Sequence, residues 1–297
     1  MSSSTIAARR TRFDLTGTPL HWIPDDPVSS LTIDVLHVVL PPGERWFADV
    51  YRDALPMITD PALRADVKGF VGQEATHAKA HDLGLDHLAA HGIDLRREVA
   101  LVDRFRVRIR RVLRHLPAPL WHESLLAELA AIAAIEHLTA VLGGWILESS
   151  PLDEAGADAA MLDMLRWHGA EEVEHRSVAF DVYEHLGGAR WRRTVAAAAM
   201  AVAVSVGLLG IGGRLTHLDR SSPERLTPRS YRRAVKAGRL PDIGATARSM
   251  REYLRADYHP SKHGDLEAAV AYLASTPSVR RDGRPRRLDD RRREAAS

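Results

Sequence analysis

Four segments of the chain carry glutamate and histidine at spacings that suit metal binding. Two of them contain Glu-x-x-His, whose side chains share one face of a helix because the helix turns by about 100° per residue. The other two supply a single Glu each, and a helical bundle with this plan can hold two metal ions. Charged groups on solvated helix faces are the alternative interpretation. The predicted metal ligands are Glu44, Glu74, His77, Glu136, His168, Glu172 and His175.

Two of these carboxylates lie where a solvated side chain is not expected. Glu44 and Glu136 each follow the helical spacing of apolar residues, so each would be buried on an apolar stripe. An unpaired buried carboxylate is strongly destabilising unless a metal or a hydrogen-bond donor offsets its desolvation. His168 lies one turn before Glu172 and completes His-x-x-x-Glu-x-x-His, so it is predicted as a seventh ligand.

The ligand types suggest how the residues would divide between two metals. One histidine would bind each metal, the glutamates of the two Glu-x-x-His pairs would bridge or chelate, and the single glutamates would complete one metal each. His81 fits either a ligand or an outer position. Glu171, Glu174 and His137 point away from the ligand faces and are assigned to the surface or to contacts behind the ligands.

Helical spacing runs through nearly the whole chain, which predicts an all-α fold. We expect helices over residues 61–90, 96–115, 120–147 and from 153 or 157 to 186, and a helix that starts at Pro41-Pro42 with Glu44 in its first turn. The predicted organisation is an extended segment (1–27), a metal-binding bundle (28–186), C-terminal helices packed on it (187–275) and a disordered basic tail (276–297).

Composition narrows the functional classes. The chain of 297 residues has no cysteine, which excludes disulfides, cysteine zinc sites and thiol catalysis, so a metal would need O and N ligands. The formal net charge is +2, and the basic tail is interpreted as solvated, with a contact for acidic lipid or nucleic acid as the alternative. For the protein as a whole no nucleic-acid partner is expected. No apolar leader is evident near Met1, so we expect a cytoplasmic protein.

Residues 194–213 form an uncharged run rich in Ala and Gly, about the length that crosses a bilayer. Small residues suit close helix packing equally well, and the run has few leucines. We interpret it as a buried bundle helix. A segment embedded in a membrane or lying on its surface is the alternative.

The segments around the predicted ligands resemble known proteins. They are Pro42-Gly43-Glu44-Arg45, Gly72 to Ala78, Ala134 to His137 and Trp167 to Ser177. They look like the ferritin-like superfamily of di-iron carboxylate proteins, and over most of residues 12–275 the chain resembles a bacterial family of predicted metal-dependent hydrolases. The histidine at position 168 is similar to that of di-iron N-oxygenases. This resemblance implies a ferritin-like four-helix bundle with additional C-terminal helices.

Three functions remain open on this basis. The first hypothesis is an oxygenase or oxidase that activates O₂ at two iron ions, with manganese as an alternative and zinc less suited, and with an electron donor that the sequence does not reveal. The second is a hydrolase that uses a metal-bound hydroxide. The third is a metal-binding or membrane-associated bundle without enzymatic activity. The substrate would be a small or lipid-like molecule.

Overall fold

The computed structural model describes residues 6–279, and within this range the chain is all-α, as the sequence predicts. These residues form twelve α-helices and no β-strand. The helices are α1 Pro27–Ile33, α2 Val35–Ala54, α3 Pro61–Ala90, α4 Arg96–Leu113, α5 Ala118–Glu148, α6 Ser150–Glu154, α7 Ala159–His175, α8 Val178–His185, α9 Arg190–Leu218, α10 Pro228–Lys236, α11 Ile243–Tyr253 and α12 Leu266–Ser275. Short 3₁₀ turns lie at Leu55–Met57 and Pro260–Lys262.

Helices α2 and α3 form an antiparallel hairpin. The Asp60 side chain accepts a hydrogen bond from the Ala62 amide and caps α3, as its position before Pro61 predicts. The predicted helix start at Pro41-Pro42 is wrong, because α2 begins at Val35 and both prolines lie inside it. The prolines remove two helical hydrogen bonds, and their burial against neighbouring helices offsets this loss. Glu44 therefore lies in the middle of a helix.

Helices α5 and α7 touch through glycine. A Cβ atom on Gly143 would lie 2.4 Å from the carbonyl oxygen of Gly169, so only glycine permits this approach. The prediction of one continuous helix up to residue 186 is wrong, because a turn at Arg176 and Ser177 separates α7 from α8. In this turn the Arg176 guanidinium donates to the carbonyl of Pro260 at 3.1 Å, a tertiary contact that outweighs local helix propensity.

Helix α9 contains the apolar run 194–213, and its interpretation as a buried bundle helix is wrong. Only 11% of its most apolar window is buried, because the helix packs on α1, α2 and α5 along one side and exposes the other. Within residues 6–279, two helices, α5 and α9, are long and apolar enough to cross a membrane by length and composition alone. Helix α5 is mostly a core helix, with 56% of its most apolar window buried.

The two ends of the described chain meet. The amide of Arg12 donates to the carbonyl of Ser278 at 3.1 Å, and Thr276 donates to the Asp163 carboxylate at 2.5 Å. The predicted disordered tail is therefore wrong for residues 276–279, which are held against the bundle. The rest of that tail, residues 280–297, lies outside the described residues.

Candidate metal centre

The structure brings the two Glu-x-x-His pairs face to face in the core. The Nδ1 atom of His77 lies 3.4 Å from Oε1 of Glu74 and 3.4 Å from Oε1 of Glu172. The Nε2 atom of His175 lies 3.5 Å from Oε1 of Glu74 and 3.4 Å from Oε2 of Glu172. Glu74 and Glu172 therefore lie between the two histidines, where carboxylates can bridge two metals.

The single glutamates lie at opposite ends of this arrangement. Glu44, from α2, has Oε1 3.6 Å from Nε2 of His168 on α7. Glu136, from α5, has Oε2 3.1 Å from Nε2 of His175. All seven residues named from the sequence are thus brought together and buried, and we call them the Glu/His cluster. Four overlapping groups of them, with His81, could each hold a metal ion: Glu44–His81–His168, His77–His168–Glu172, Glu44–Glu74–His77 and Glu74–Glu136–His175.

Many polar atoms of the Glu/His cluster have no hydrogen-bond partner among the described residues. They are both carboxylate oxygens of Glu44, Glu74 and Glu136, Nδ1 of His77 and Nε2 of His175. Each such atom is destabilising by about 1–3 kcal/mol, and more when it is charged. Orphaned oxygen and nitrogen atoms that converge in one place fit metal ions, and two divalent cations would balance the four carboxylates.

In His77 and His175, the ring nitrogen that points away from the cluster forms a hydrogen bond with a side chain behind it. Nε2 of His77 donates to the Glu171 carboxylate at 2.9 Å, and Nδ1 of His175 donates to the amide oxygen of Gln73 at 3.0 Å. These bonds select the tautomer that leaves Nδ1 of His77 and Nε2 of His175 free to bind metal. The sequence left open whether Glu171 lies on the surface or behind the ligands. The structure places it directly behind His77, a predicted ligand.

The N-terminal segment closes this side of the cluster with a positive charge. Arg9 donates to Glu171 at 2.9 Å and to Glu174 at 2.6 Å, and Glu174 in turn accepts from Gln73 at 2.8 Å. Burial alone would raise the pKa of Glu171, but the bonds from His77 and Arg9 lower it below its ordinary value. Sequence reasoning missed Arg9, because nothing local marks an arginine in an extended segment as a partner of residues far along the chain.

A chain of imidazoles leads away from the other side. Nδ1 of His168 lies 3.0 Å from Nε2 of His81, and Nδ1 of His81 lies 2.8 Å from Nδ1 of His37. Nε2 of His37 is 3.6 Å from Oδ1 of Asp34. Because both nitrogens of His81 contact other histidines, the structure favours a positioning role for it. Sequence reasoning missed His37, although a lone histidine inside the apolar stretch before Pro41 was a usable signal.

Burial and the charges of neighbouring residues shift the pKa values of the glutamates and histidines in the cluster. Burial raises the pKa of Glu44 well above its ordinary value, and burial together with the charge of Glu172 raises the pKa of Glu136 to about 8. Burial would lower the pKa of His77 and His175, but the surrounding carboxylates raise both well above the ordinary value. Protons therefore supply the positive charge that the carboxylates require, and metal ions would displace them.

An apolar cavity of about 380 Å³ reaches the cluster at His168 and Glu172. Thr139 on α5 lines this cavity and donates its hydroxyl to Oε2 of Glu172. The rest of the lining is mainly aliphatic and aromatic, and part of it comes from the inner side of α9. His137 lies elsewhere, buried against Tyr258, whose hydroxyl is 2.8 Å from its Nδ1. The cavity is large enough for a small apolar molecule or one end of a longer one.

Comparison with known proteins identifies a family. The sequence model of a family described as "Predicted metal-dependent hydrolase" matches residues 7–264, which include every residue of the Glu/His cluster and Arg9. No curated protein and no solved structure matches the chain.

Proposed function

The chain belongs to the family of predicted metal-dependent hydrolases, and from this premise we propose that it is a dinuclear metal enzyme that hydrolyses an ester, amide or phosphate bond in an apolar small molecule. The observation that carries the proposal is the set of orphaned carboxylate and imidazole atoms that converge in the core. Hydrolysis was the second hypothesis from the sequence. The family description supports it over the oxygenase hypothesis that came first.

We assign the metal ligands as the seven residues of the Glu/His cluster. When bound, two divalent cations would polarise the substrate and lower the pKa of a water molecule. Iron or manganese fits a site with four carboxylates better than zinc does, since carboxylates suit harder cations. Membership of the ferritin-like superfamily is a prediction, and it rests on the order of the predicted ligands along the sequence.

The surrounding residues would orient the site and exclude water. Glu171 and Gln73 hold the two ligand imidazoles in one tautomer, and Thr139 holds one oxygen of Glu172 at the cavity wall. His81 would hold the ring of His168 in place from behind. The aliphatic lining of the cavity would keep bulk water from the cluster and bind the apolar part of the substrate.

Oxygen activation is the second candidate. It is favoured by Glu74 and Glu172, each of which lies between His77 and His175 and could bridge two metals. Bridging carboxylates suit iron or manganese, which can change oxidation state. A substrate oxidation would also require O₂ and an external electron donor.

Metal analysis combined with two activity assays tests the proposal. The purified protein should bind about two divalent metals per chain. Glu136→Ala and His175→Ala should each lose metal, whereas His122→Ala, a histidine of α5 outside the cluster, should retain it. Full metal content in both cluster variants would show that the ligand assignment is wrong.

Assays on one preparation of the protein distinguish hydrolysis from oxygen activation. Metal-loaded protein should hydrolyse members of a panel of chromogenic acyl and phosphate esters, and Glu136→Ala should not. If the ferrous protein instead consumes O₂ and gains a new absorption band while no ester is cleaved, the second candidate replaces the first. A protein that binds no metal under either condition would refute both.

A further inference from the structure

Helix α4 carries an exposed apolar stripe beside an exposed basic stripe. The apolar stripe contains Leu101, Phe105, Ile109 and Val112, which span about 80° of the helix surface and are each at least 42% exposed. The basic stripe contains Arg97, Arg104, Arg108 and Arg111, which span about 60° directly next to it.

The basic stripe is not neutralised by the protein. The remaining arginines of α4 are paired with carboxylates: Arg96 with Asp94, Arg106 with Asp49 and Arg110 with Asp53. None of the four arginines of the basic stripe lies within salt-bridge distance of a carboxylate in residues 6–279. The helix therefore presents free positive charge together with apolar surface.

Helix α9 adds a second exposed apolar stripe. Trp191, Val195, Val202, Val206 and Leu209 lie within about 60° of the helix surface, and each is at least 56% exposed. Trp191 stands between two arginines at the start of the helix, an arrangement typical of side chains at a membrane–water interface.

The two helices border the same side of the bundle. At one end, Arg214 of α9 donates to Glu98 of α4 at 2.7 Å. At the other end, Arg110 of α4 stacks 5.7 Å from the ring of Trp121 on α5. Two residues further on, Glu123 of α5 accepts from Arg192 of α9. Helix α4 is thus linked to α9 directly at one end and through α5 at the other.

We propose that α4 and α9 dock this side of the protein onto the surface of an anionic lipid bilayer. Exposed aliphatic and aromatic side chains would enter the interface, and the free arginines would contact lipid phosphate and carboxylate groups. Charge complementarity favours a bilayer over a second copy of the chain, because two copies would bring the unpaired arginines together. Leu209 of the exposed stripe also lines the apolar cavity, so the docked helix forms one wall of that cavity. The docking does not depend on the proposed reaction.

Vesicle flotation of the full-length protein tests this proposal. The protein should float with phosphatidylcholine vesicles that contain phosphatidylserine, and less with phosphatidylcholine alone, and added salt should weaken the binding. Arg104→Ala/Arg108→Ala should weaken binding about 25-fold, or about fivefold per arginine. Val202→Asp/Val206→Asp should abolish it. The matched controls Lys68→Ala/Lys79→Ala on α3 and Val270→Asp on α12 should bind normally.

Fluorescence locates the contact. Vesicles with brominated acyl chains should quench part of the tryptophan emission, and Trp191→Phe should remove that part. All substituted side chains are exposed, so unchanged circular dichroism and melting temperature are expected in every variant. The proposal is overturned if the wild type stays with the aqueous fraction, or if both double variants bind as tightly as the wild type. A dimer in solution that Val202→Asp/Val206→Asp dissociates, without vesicle binding, would show that a second copy covers this face.

Discussion

The glycine contact between α5 and α7 gives a sharp test of how the helices position the metal centre. In Gly143→Ala the new Cβ would lie 2.4 Å from the carbonyl oxygen of Gly169, whereas ordinary contact begins at 3.4 Å. The two helices must therefore separate by about 1 Å. Glu136 lies on α5 and His175 on α7, 3.1 Å apart, so this separation acts directly on the Glu/His cluster.

The neighbouring glycine supplies the control. A Cβ on Gly144 would meet no atom within 4 Å, so Gly144→Ala should stabilise α5 by up to about 1 kcal/mol. Gly143→Ala gains the same propensity but adds overpacking of about 1–3 kcal/mol, so it should be the less stable variant by that amount. Its metal affinity should also fall, because metal sites tolerate only about 0.2 Å of error in ligand distance.

Urea unfolding of the metal-free variants and metal titration of the folded ones measure both effects. In thermal scans each kcal/mol corresponds to about 1.6 °C for a chain of this size. Equal stability and equal metal affinity in the two variants would refute the argument that the glycine contact sets the distance between the helices.

Three further predictions concern groups around the cluster. Glu171→Ala should reduce metal affinity about 10- to 100-fold in a calorimetric titration, because His77 loses the acceptor that orients it, and an unchanged affinity would contradict this role. The metal-free protein should lose stability as the pH rises from about 5 to about 8, because the unfolded chain ionises Glu136 above the ordinary pKa of 4.5, whereas burial in the folded protein keeps it protonated up to a pKa of about 8. A metal-free melting temperature that rises between about pH 5 and pH 8 would contradict that direction. Gly84→Ala should destabilise the fold by about 1–3 kcal/mol in urea, since its Cβ would lie 2.4 Å from the ring of His37, and a neutral effect would show that this ring moves freely.

The sequence predicted the all-α class and singled out seven residues that the structure brings together, because helical spacing and ligand chemistry are local properties. Glu44 and Glu136 could be placed in the core from their apolar neighbours alone. Helix boundaries were harder to predict from the sequence. The pair Pro41-Pro42 suggests a helix start, but packing against neighbouring helices keeps α2 continuous across both prolines. The side of a long apolar helix that faces its partners is also not a local property. For this reason residues 194–213 were predicted as buried although α9 exposes most of its surface.

The partners behind the ligands were the least predictable part of the site. Glu171 lies next to Glu172 in the sequence, so it could be assigned either to the surface or to a contact behind the ligands. Arg9 reaches Glu171 across 162 residues of sequence, and no spacing rule connects them. Gln73 directly precedes Glu74, but only the packed structure shows that its amide oxygen accepts from His175.

The two ends of the Glu/His cluster are chemically unequal. At one end Glu44 meets two ligand imidazoles, those of His77 and His168, in groups that could hold an ion, whereas the other end joins Glu74 and Glu136 to the single imidazole of His175. Imidazole favours softer divalent metals such as iron, and carboxylates favour harder ones such as manganese. A cell that supplies both would therefore fill the two positions in a defined order, and the centre could sort its metals as well as bind them.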